Sequence, residues 1–133
     1  NNRSQIVPYG SNTVLLDAYN ANPSSMQPAL ESLQAMPAER KVAILGDMLE
    51  LGADSKKEHA AMLRFAAGLH LDHLVLVGRE FAQTPYKRYH ALHFPDNSAA
   101  KIWLEQQKFQ NTLILIKGSR GIRLEKLIEV VEG

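Results

Sequence analysis

Two asparagines and an aspartate lie close together in the segment "DAYNANPSS", residues 17–25. Asp17 could accept hydrogen bonds from a ribose diol, and the amides of Asn20 and Asn22 carry donors and an acceptor that could read a purine edge. This chemistry is typical of nucleotide recognition. The same residue types also favour a turn that leads into a helix capped by one of the serines, and the segment alone favours that structural interpretation.

Two cations and two glycines meet in the segment "KGSRG", residues 117–121. If a strand turns into a helix here, exposed backbone amides together with Lys117 and Arg120 would attract a carboxylate or a phosphate. A glycine-rich connection with solvated cations explains the segment equally well. An anion site is therefore one of two interpretations that the residues leave open.

Two acidic residues, Asp47 and Glu50, lie between glycines in "GDMLELG", residues 46–52. They could hold a substrate ammonium group or orient a cationic side chain, whereas a solvated acidic loop is the interpretation that the residues alone favour. The sequence contains neither a G-x-x-x-x-G-K-[ST] phosphate loop nor a nucleophile elbow with its Ser, His and Asp. If nucleotide chemistry takes place, the phosphates must be held by another part of the protein.

Each of these polar segments follows a short run of apolar residues. Four such runs, typical of strands buried on both faces of a parallel sheet, occupy residues 13–18, 41–47, 73–79 and 112–118. Two weaker candidates cover residues 3–9 and 91–94, and Pro8 in the first of them predicts an edge strand. About six strands are therefore expected.

Helical patterns separate the apolar runs. The first includes Met26, Leu30, Leu33 and Met36, and the fourth includes Leu124, Leu127, Ile128 and Val131. The second begins with Ser55 and Glu58 at capping-box spacing and ends near Gly68. The third is capped by Asn97 or Ser98. Alternating strands and helices predict an α/β fold, a mainly parallel sheet with helices on both faces. Ligands of such sheets bind beyond the carboxyl ends of the strands, where the polar segments lie.

The composition limits the classes of partner. The 133 residues suit one domain, and 15 basic against 14 acidic side chains leave a net charge of +1, so no nucleic-acid surface is predicted. No membrane span, signal peptide or transit peptide is expected, and the absence of cysteine fits a reducing compartment such as the cytoplasm. Two histidine pairs, His70/His73 and His90/His93, lack a third ligand, so no metal site is predicted.

Taken in order, "LLDAYNANPSSM", "ILGDMLELG" and "LIKGSRGIRLE" resemble the C-terminal domain of the Mur ligases, in particular the branch that adds D-Ala-D-Ala. The resemblance runs from residue 15 to residue 125 and so covers essentially the whole chain. It implies a Rossmann-like three-layer domain. It also implies that an N-terminal UDP-sugar domain and a central domain with the P-loop belong to the same protein but lie outside residues 1–133.

The resemblance implies an ATP-dependent amide-forming reaction in the synthesis of bacterial peptidoglycan precursors. The implied substrates are UDP-N-acetylmuramoyl tripeptide and D-Ala-D-Ala, with ATP and Mg²⁺ held mainly by the central domain. An acyl phosphate forms first, and the dipeptide amine then displaces phosphate. Positioning and charge neutralisation dominate such catalysis, so no catalytic residue is assigned to this domain.

The family's nucleotide residues correspond to five positions here. Asp17 is expected at the ribose, and Tyr19, Asn20 and Asn22 are expected near the adenine or in the loop that bounds it. Arg3 is expected at the ribose or phosphates, although Asn2 stands where many members have glycine before that arginine. The polar stretch would then serve both as a helix start and as part of a nucleotide clamp.

A second group is expected to face the amino-acid substrate. The resemblance implies that Lys117, Ser119 and Arg120 meet the carboxylate of D-Ala-D-Ala, and we assign Asp47 and Glu50 to its ammonium group. Two alternatives stay open: a sister Mur or folylpolyglutamate-type ligase, and a free-standing Rossmann-like nucleotide-binding module without catalysis.

Overall fold

Six strands form one sheet in the computed structural model, which describes residues 4–132. The strands are β1 (Gln5–Tyr9), β2 (Asn12–Asp17), β3 (Arg40–Gly46), β4 (His73–Val77), β5 (Leu92–Phe94) and β6 (Thr112–Lys117). Their order across the sheet is β1-β2-β6-β3-β4-β5. Only the β1–β2 pair is antiparallel, so the predicted mainly parallel sheet is confirmed, and both weaker candidates are its edge strands.

Three α-helices connect these strands: α1 (Pro23–Ala35), α2 (Ser55–Ala67) and α3 (Asn97–Gln107). Short 3₁₀ helices occupy Gly52–Asp54, Phe81–Gln83, Tyr86–Tyr89 and Arg120–Ile122, and a longer one Leu124–Val130. None of the helices within residues 4–132 combines the length and the apolar character that crossing a bilayer requires.

Both faces of the sheet are covered, because successive side chains of a strand point to opposite sides. On one face, Leu45, Leu76 and Leu115 pack in a core with α1 and α2. On the other face, Ile44 and Ile116 belong to a second core with α3 and the 3₁₀ helix Leu124–Val130. All six residues of β6 are buried. Continuous apolar runs therefore arise here from a central strand that contributes to two cores at once.

The predicted helix caps are corrected in three places. In α1 the cap is Asn22 rather than one of the serines, and its side-chain oxygen accepts a hydrogen bond from the Ser25 amide. The chain reaches α2 through the 3₁₀ turn Gly52–Asp54 and is already helical at Asp54, the N-cap, which makes no side-chain capping bond. Ser55 is consequently inside the helix rather than its cap. In α3 the cap is Asp96, whose carboxylate accepts a hydrogen bond from the Ala99 amide at 3.0 Å. The predicted cap Asn97 donates instead to the Ile122 carbonyl.

The fourth predicted helix is helical but is wound as a 3₁₀ helix from Leu124 to Val130. Leu124 and Leu127 are buried, and Val130 packs against the same core. These three residues are each three apart, which matches the three residues per turn of a 3₁₀ helix and aligns them on one side. The apolar positions that suggested an α-helix thus serve a tighter helix equally well.

Candidate functional site

The segments that follow β2, β3, β4 and β6 meet at one edge of the sheet, because parallel strands end on the same side. The ends of β3 and β6 approach especially closely. A Cβ atom added to Gly118 would lie 2.9 Å from the Cα atom of Gly46. Glycine at both positions lets the two following loops leave the sheet side by side.

Asp17 and Lys117 occupy paired positions at the ends of β2 and β6 and form an ion pair. The ammonium group of Lys117 lies 2.5 Å from a carboxylate oxygen of Asp17, and it also donates to the Asn20 carbonyl at 3.2 Å. Lys117 is completely buried, whereas the Asp17 side chain is 19% exposed. The same Asp17 oxygen accepts a hydrogen bond from the Ser4 hydroxyl. The Lys117 charge is therefore committed to Asp17 and does not face solvent.

Ser119 joins three loops. Its hydroxyl accepts a hydrogen bond from the Leu49 amide at 2.8 Å and donates to the Ala21 carbonyl at 3.4 Å. Its own amide donates to the Asp47 carbonyl at 3.0 Å. Ser119 is only 7% exposed, and its hydroxyl both donates and accepts a hydrogen bond within the protein. It therefore fixes the relative positions of the loops after β2, β3 and β6.

Asp47 is buried and closes the turn that follows β4. Its two carboxylate oxygens accept hydrogen bonds from the backbone amides of Glu80 and Phe81 at 2.9 and 3.0 Å. Gly78, at φ +120°, passes so close that an added Cβ would lie 2.3 Å from one of these oxygens. The geometry therefore favours a structural role for this carboxylate, which is 2% exposed.

Tyr19 and Arg120 lie together on the outside of the same edge. The Arg120 guanidinium lies 5.2 Å from the centre of the Tyr19 ring, and one of its nitrogens is 3.4 Å from the Tyr19 hydroxyl. Both side chains are exposed. The contact holds the guanidinium at the surface, where its remaining donors are available to a carboxylate or phosphate.

Three other predicted site residues have different surroundings. Asn20 is exposed, and it is its backbone carbonyl that accepts the hydrogen bond from Lys117. Glu50 is exposed, and its φ of 66° places it in the left-handed region of the loop. Asn22 is the N-cap of α1: its side-chain oxygen accepts from the Ser25 amide at 3.0 Å, and the Ser25 hydroxyl lies 3.2 Å from the Asn22 amide. Its acceptor is thus used by the helix.

Arg3, the remaining predicted nucleotide residue, lies outside the described residues. Within the range 4–132, no group of three or more His, Asp or Glu side chains is arranged to hold a metal ion.

A known protein family matches this chain over most of its length. The profile of the family described as "Mur ligase, glutamate ligase domain" matches residues 2–120. The chain belongs to the Mur ligase family. The resemblance inferred from the three motifs is thereby confirmed, and so is the fold class.

Several relatives of this Mur ligase domain share one name. The UDP-N-acetylmuramoyl-tripeptide–D-alanyl-D-alanine ligase of Rickettsia prowazekii is 32% identical over 96% of this chain and 29% of its own length. A MurF crystal structure from Acinetobacter baumannii is 31% identical with a TM-score of 0.83, covering 94% of this chain and 29% of that one. A Thermotoga maritima MurF in complex with ADP is 25% identical with a TM-score of 0.76, covering 97% and 30%. The chain spans less than a third of the length of each of them.

The Mur ligase domain also contains a residue that the sequence interpretation missed. His59 of α2 is completely buried, and one of its ring nitrogens accepts a hydrogen bond from the Met48 amide at 2.9 Å. The signal was present, because His59 shares the apolar face of α2 with Met62, Leu63 and Ala66. A polar side chain on a buried helix face needs a hydrogen-bond partner, and here the partner is the loop after β3.

Proposed function

We propose that this chain is the C-terminal domain of an ATP-dependent ligase that adds D-Ala-D-Ala to UDP-N-acetylmuramoyl tripeptide. The observation that carries the proposal is the match along 96% of the chain to a ligase of that name. The exposed Arg120 at the carboxyl edge of the sheet supports it, since the dipeptide carries a carboxylate. On this proposal the UDP-sugar domain and the P-loop domain belong to the same, longer polypeptide, and residues 1–133 alone are inactive.

The proposed reaction forms an amide through an acyl phosphate. The free carboxylate of the tripeptide attacks the γ-phosphate of ATP, and ADP leaves. The amine of D-Ala-D-Ala then attacks the acyl carbon, and inorganic phosphate departs with the electrons of the broken C–O bond. Mg²⁺ would neutralise charge on the phosphates in the central domain. This domain would contribute by closing over the substrates, excluding water and fixing the dipeptide.

Arg120 is the residue we assign to the dipeptide carboxylate. A guanidinium group presents a planar pair of donors that matches a carboxylate, and the Tyr19 ring restricts its motion. Glu50 is exposed on a neighbouring loop and is the better of the two acidic candidates for the dipeptide ammonium group. Asp47 is less suited, because both its oxygens are bonded to amides.

For the nucleotide, we assign Asp17 to the ribose and Tyr19 and Asn20 to the region of the adenine. One oxygen of Asp17 is shared by Lys117 and Ser4, which leaves the other with no partner in the range 4–132. Asn22 would act indirectly, by fixing the helix start beneath this loop. Lys117 and Ser119 would likewise position loops rather than bind substrate. The reaction is expected in the bacterial cytoplasm.

Phosphate release by the full-length parent protein tests the proposal. The complete mixture contains ATP, Mg²⁺, UDP-N-acetylmuramoyl tripeptide and D-Ala-D-Ala, and each component is omitted in turn. Release that requires all four supports the proposal. Release with glutamate or another amino acid in place of D-Ala-D-Ala would assign the chain to a sister ligase. No release under any condition would favour a nucleotide-binding module.

A further inference from the structure

A buried histidine joins α2 to the candidate site. Within residues 4–132, the His59 ring makes two close contacts with backbone atoms: Nε2 lies 2.9 Å from the Met48 amide nitrogen, and Nδ1 lies 2.7 Å from the Ser55 carbonyl oxygen. The edge of the Phe81 ring packs against it, with centroids 4.6 Å apart. Nothing assigned so far to the reaction uses this side chain.

These two contacts determine the protonation state of the ring. A backbone amide can only donate, so Nε2 must accept; a backbone carbonyl can only accept, so Nδ1 must carry the proton. Both bonds form together only in the neutral Nδ1–H form of His59. The ring therefore acts as a fixed connector with one donor and one acceptor, and it holds the buried Met48 amide from the side of α2.

The next residue of the loop is held from the opposite side. The Leu49 amide donates to the Ser119 hydroxyl at 2.8 Å, and Ser119 directly precedes Arg120. Two consecutive amides thus tie one loop to α2 and to the loop after β6. Any shift of Met48 would displace Ser119 and, with it, the backbone that carries Arg120.

A carboxylate braces the far end of this connection. The Ser55 hydroxyl donates to the side chain of Glu80, and its oxygen lies 3.2 Å from Nδ1 of His59. The Glu80 amide in turn donates to Asp47, the residue before Met48. The His59 ring is therefore enclosed by a loop of hydrogen bonds that returns to the segment it holds.

From this geometry we propose that His59 is a positioning residue for the D-Ala-D-Ala subsite. It fixes the loop 47–50 against the loop 118–121 and so sets where Arg120 meets the dipeptide carboxylate. The inference rests on the proposed ligase function, because the subsite is defined by that reaction. It assigns His59 no contact with substrate and no proton transfer.

The test compares three variants of the full-length protein. His59→Leu removes the acceptor while it keeps an apolar side chain against Phe81. His59→Gln retains an amide oxygen that can accept from Met48. His70→Leu is the matched control, because His70 is an exposed histidine whose side chain makes no bond in the described part of the chain. KM for D-Ala-D-Ala, KM for ATP, and hydrogen exchange of peptides covering 47–50 and 118–121 are measured for each.

We expect His59→Leu to raise KM for the dipeptide by roughly 10- to 100-fold, as misplacement of a binding group does. KM for ATP should change far less. Both loops should exchange faster, peptides of α3 should not, and His59→Gln and His70→Leu should resemble the unsubstituted protein.

Unchanged loop exchange in His59→Leu, or loosened loops with an unchanged dipeptide KM, would overturn the inference. If His59→Leu does not fold, His59→Gln decides: a folded His59→Gln protein with loosened loops and an unchanged dipeptide KM, or with a raised dipeptide KM and unchanged loop exchange, overturns the inference. An unsubstituted protein that fails to use D-Ala-D-Ala contradicts the ligase proposal instead. In that case the inference also fails as stated, although the exchange data still report whether His59 fixes the loops.

Discussion

Two layers of the same sheet edge use similar residues for different purposes. The inner layer, defined by Asp47, Lys117 and Ser119, is buried. Each of these side chains forms hydrogen bonds with a different segment at the carboxyl edge of the sheet. The outer layer, defined by Tyr19 and Arg120, is exposed, and its two side chains contact each other. Within "KGSR" the chain passes from one layer to the other in a single step, between Ser119 and Arg120. Adjacent motif residues can thus differ completely in role.

Burial explains the division. A buried polar group without a partner is costly, so each residue of the inner layer must have its hydrogen bonds filled by the protein itself. Such a residue is therefore less available to a ligand than an exposed one. The outer layer keeps its donors in water, where a carboxylate can displace solvent. Asp17 lies between the two layers, with one oxygen in the ion pair and a side chain that is 19% exposed.

Removal of Asp17 should have the largest effect on stability. Asp17→Ala leaves the ammonium group of Lys117 buried with only a carbonyl partner, and breaking a buried pair in this way costs about 3 kcal/mol or more. Urea denaturation of the chain measures the change in the free energy of unfolding. If the loss stays below about 0.5 kcal/mol, the value typical of surface changes, Asp17 belongs wholly to the outer layer.

The double variant Asp17→Ala/Lys117→Met is the matched control. It removes both charges and keeps a side chain of similar length in the buried position, so most of the lost stability should return. A double variant as unstable as Asp17→Ala would mean that the unpaired charge is not the cause.

Crowding at Gly78 should have the next largest effect. An alanine there has its Cβ 2.3 Å from an Asp47 carboxylate oxygen and a backbone φ of +120°, so we expect Gly78→Ala to cost roughly 2 to 4 kcal/mol. Gly52→Ala is the control, because its φ is also positive, at +59°, but no atom lies within 4 Å of the added Cβ. It should cost only about 1 kcal/mol. Equal losses in thermal or urea unfolding would contradict a packed inner layer around Asp47.

The sheet was predictable from the sequence because burial on both faces leaves a local trace. A central strand such as β6, buried along its whole length, carries a continuous apolar run at residues 113–116, and four runs of this kind predicted four of the six strands and the edge where polar segments gather. The two layers of that edge were not predictable. Whether Lys117 is buried depends on its pairing with Asp17, which is 100 residues away in the chain.

Local features were missed for the same reason. The cap of α2 differs because a preceding 3₁₀ turn makes the chain helical before Ser55, and Ser55 is then used by Glu80. The sequence places His59 on the buried face of an amphipathic helix, but its hydrogen bond to Met48 depends on the position of the loop after β3 in the folded structure. Patterns of burial are local in sequence, whereas hydrogen-bond partners are chosen by the tertiary fold.

Substitution of Arg120 tests whether the outer layer binds substrate without contributing to stability. Since its side chain is exposed, Arg120→Ala should change the free energy of unfolding by less than about 0.5 kcal/mol. In the full-length enzyme it should raise KM for D-Ala-D-Ala by about 10-fold or more, because a hydrogen bond to a charged group is lost, with little change for ATP. Arg120→Lys should recover only part of the loss, since it lacks the planar fork. Equal increases for ATP and dipeptide would remove Arg120 from the dipeptide subsite.

The smallest effect is expected at an exposed ion pair, which shows what a charge pair contributes without burial. Lys101 bonds to the Glu129 carboxylate and holds its pKa below the ordinary value, mainly through the hydrogen bond and then through the charge. A depressed pKa in the folded state adds stability at pH values above the unfolded pKa, and that stability is lost as the pH falls through the folded pKa. Glu129→Gln should therefore remove a small, salt-sensitive part of the rise in unfolding free energy between acidic and neutral pH. Asp17→Asn, measured by the same urea titrations, should cause a far larger loss that persists at neutral pH and high salt. Equal effects at the two pairs would mean that burial does not separate the inner layer from the surface.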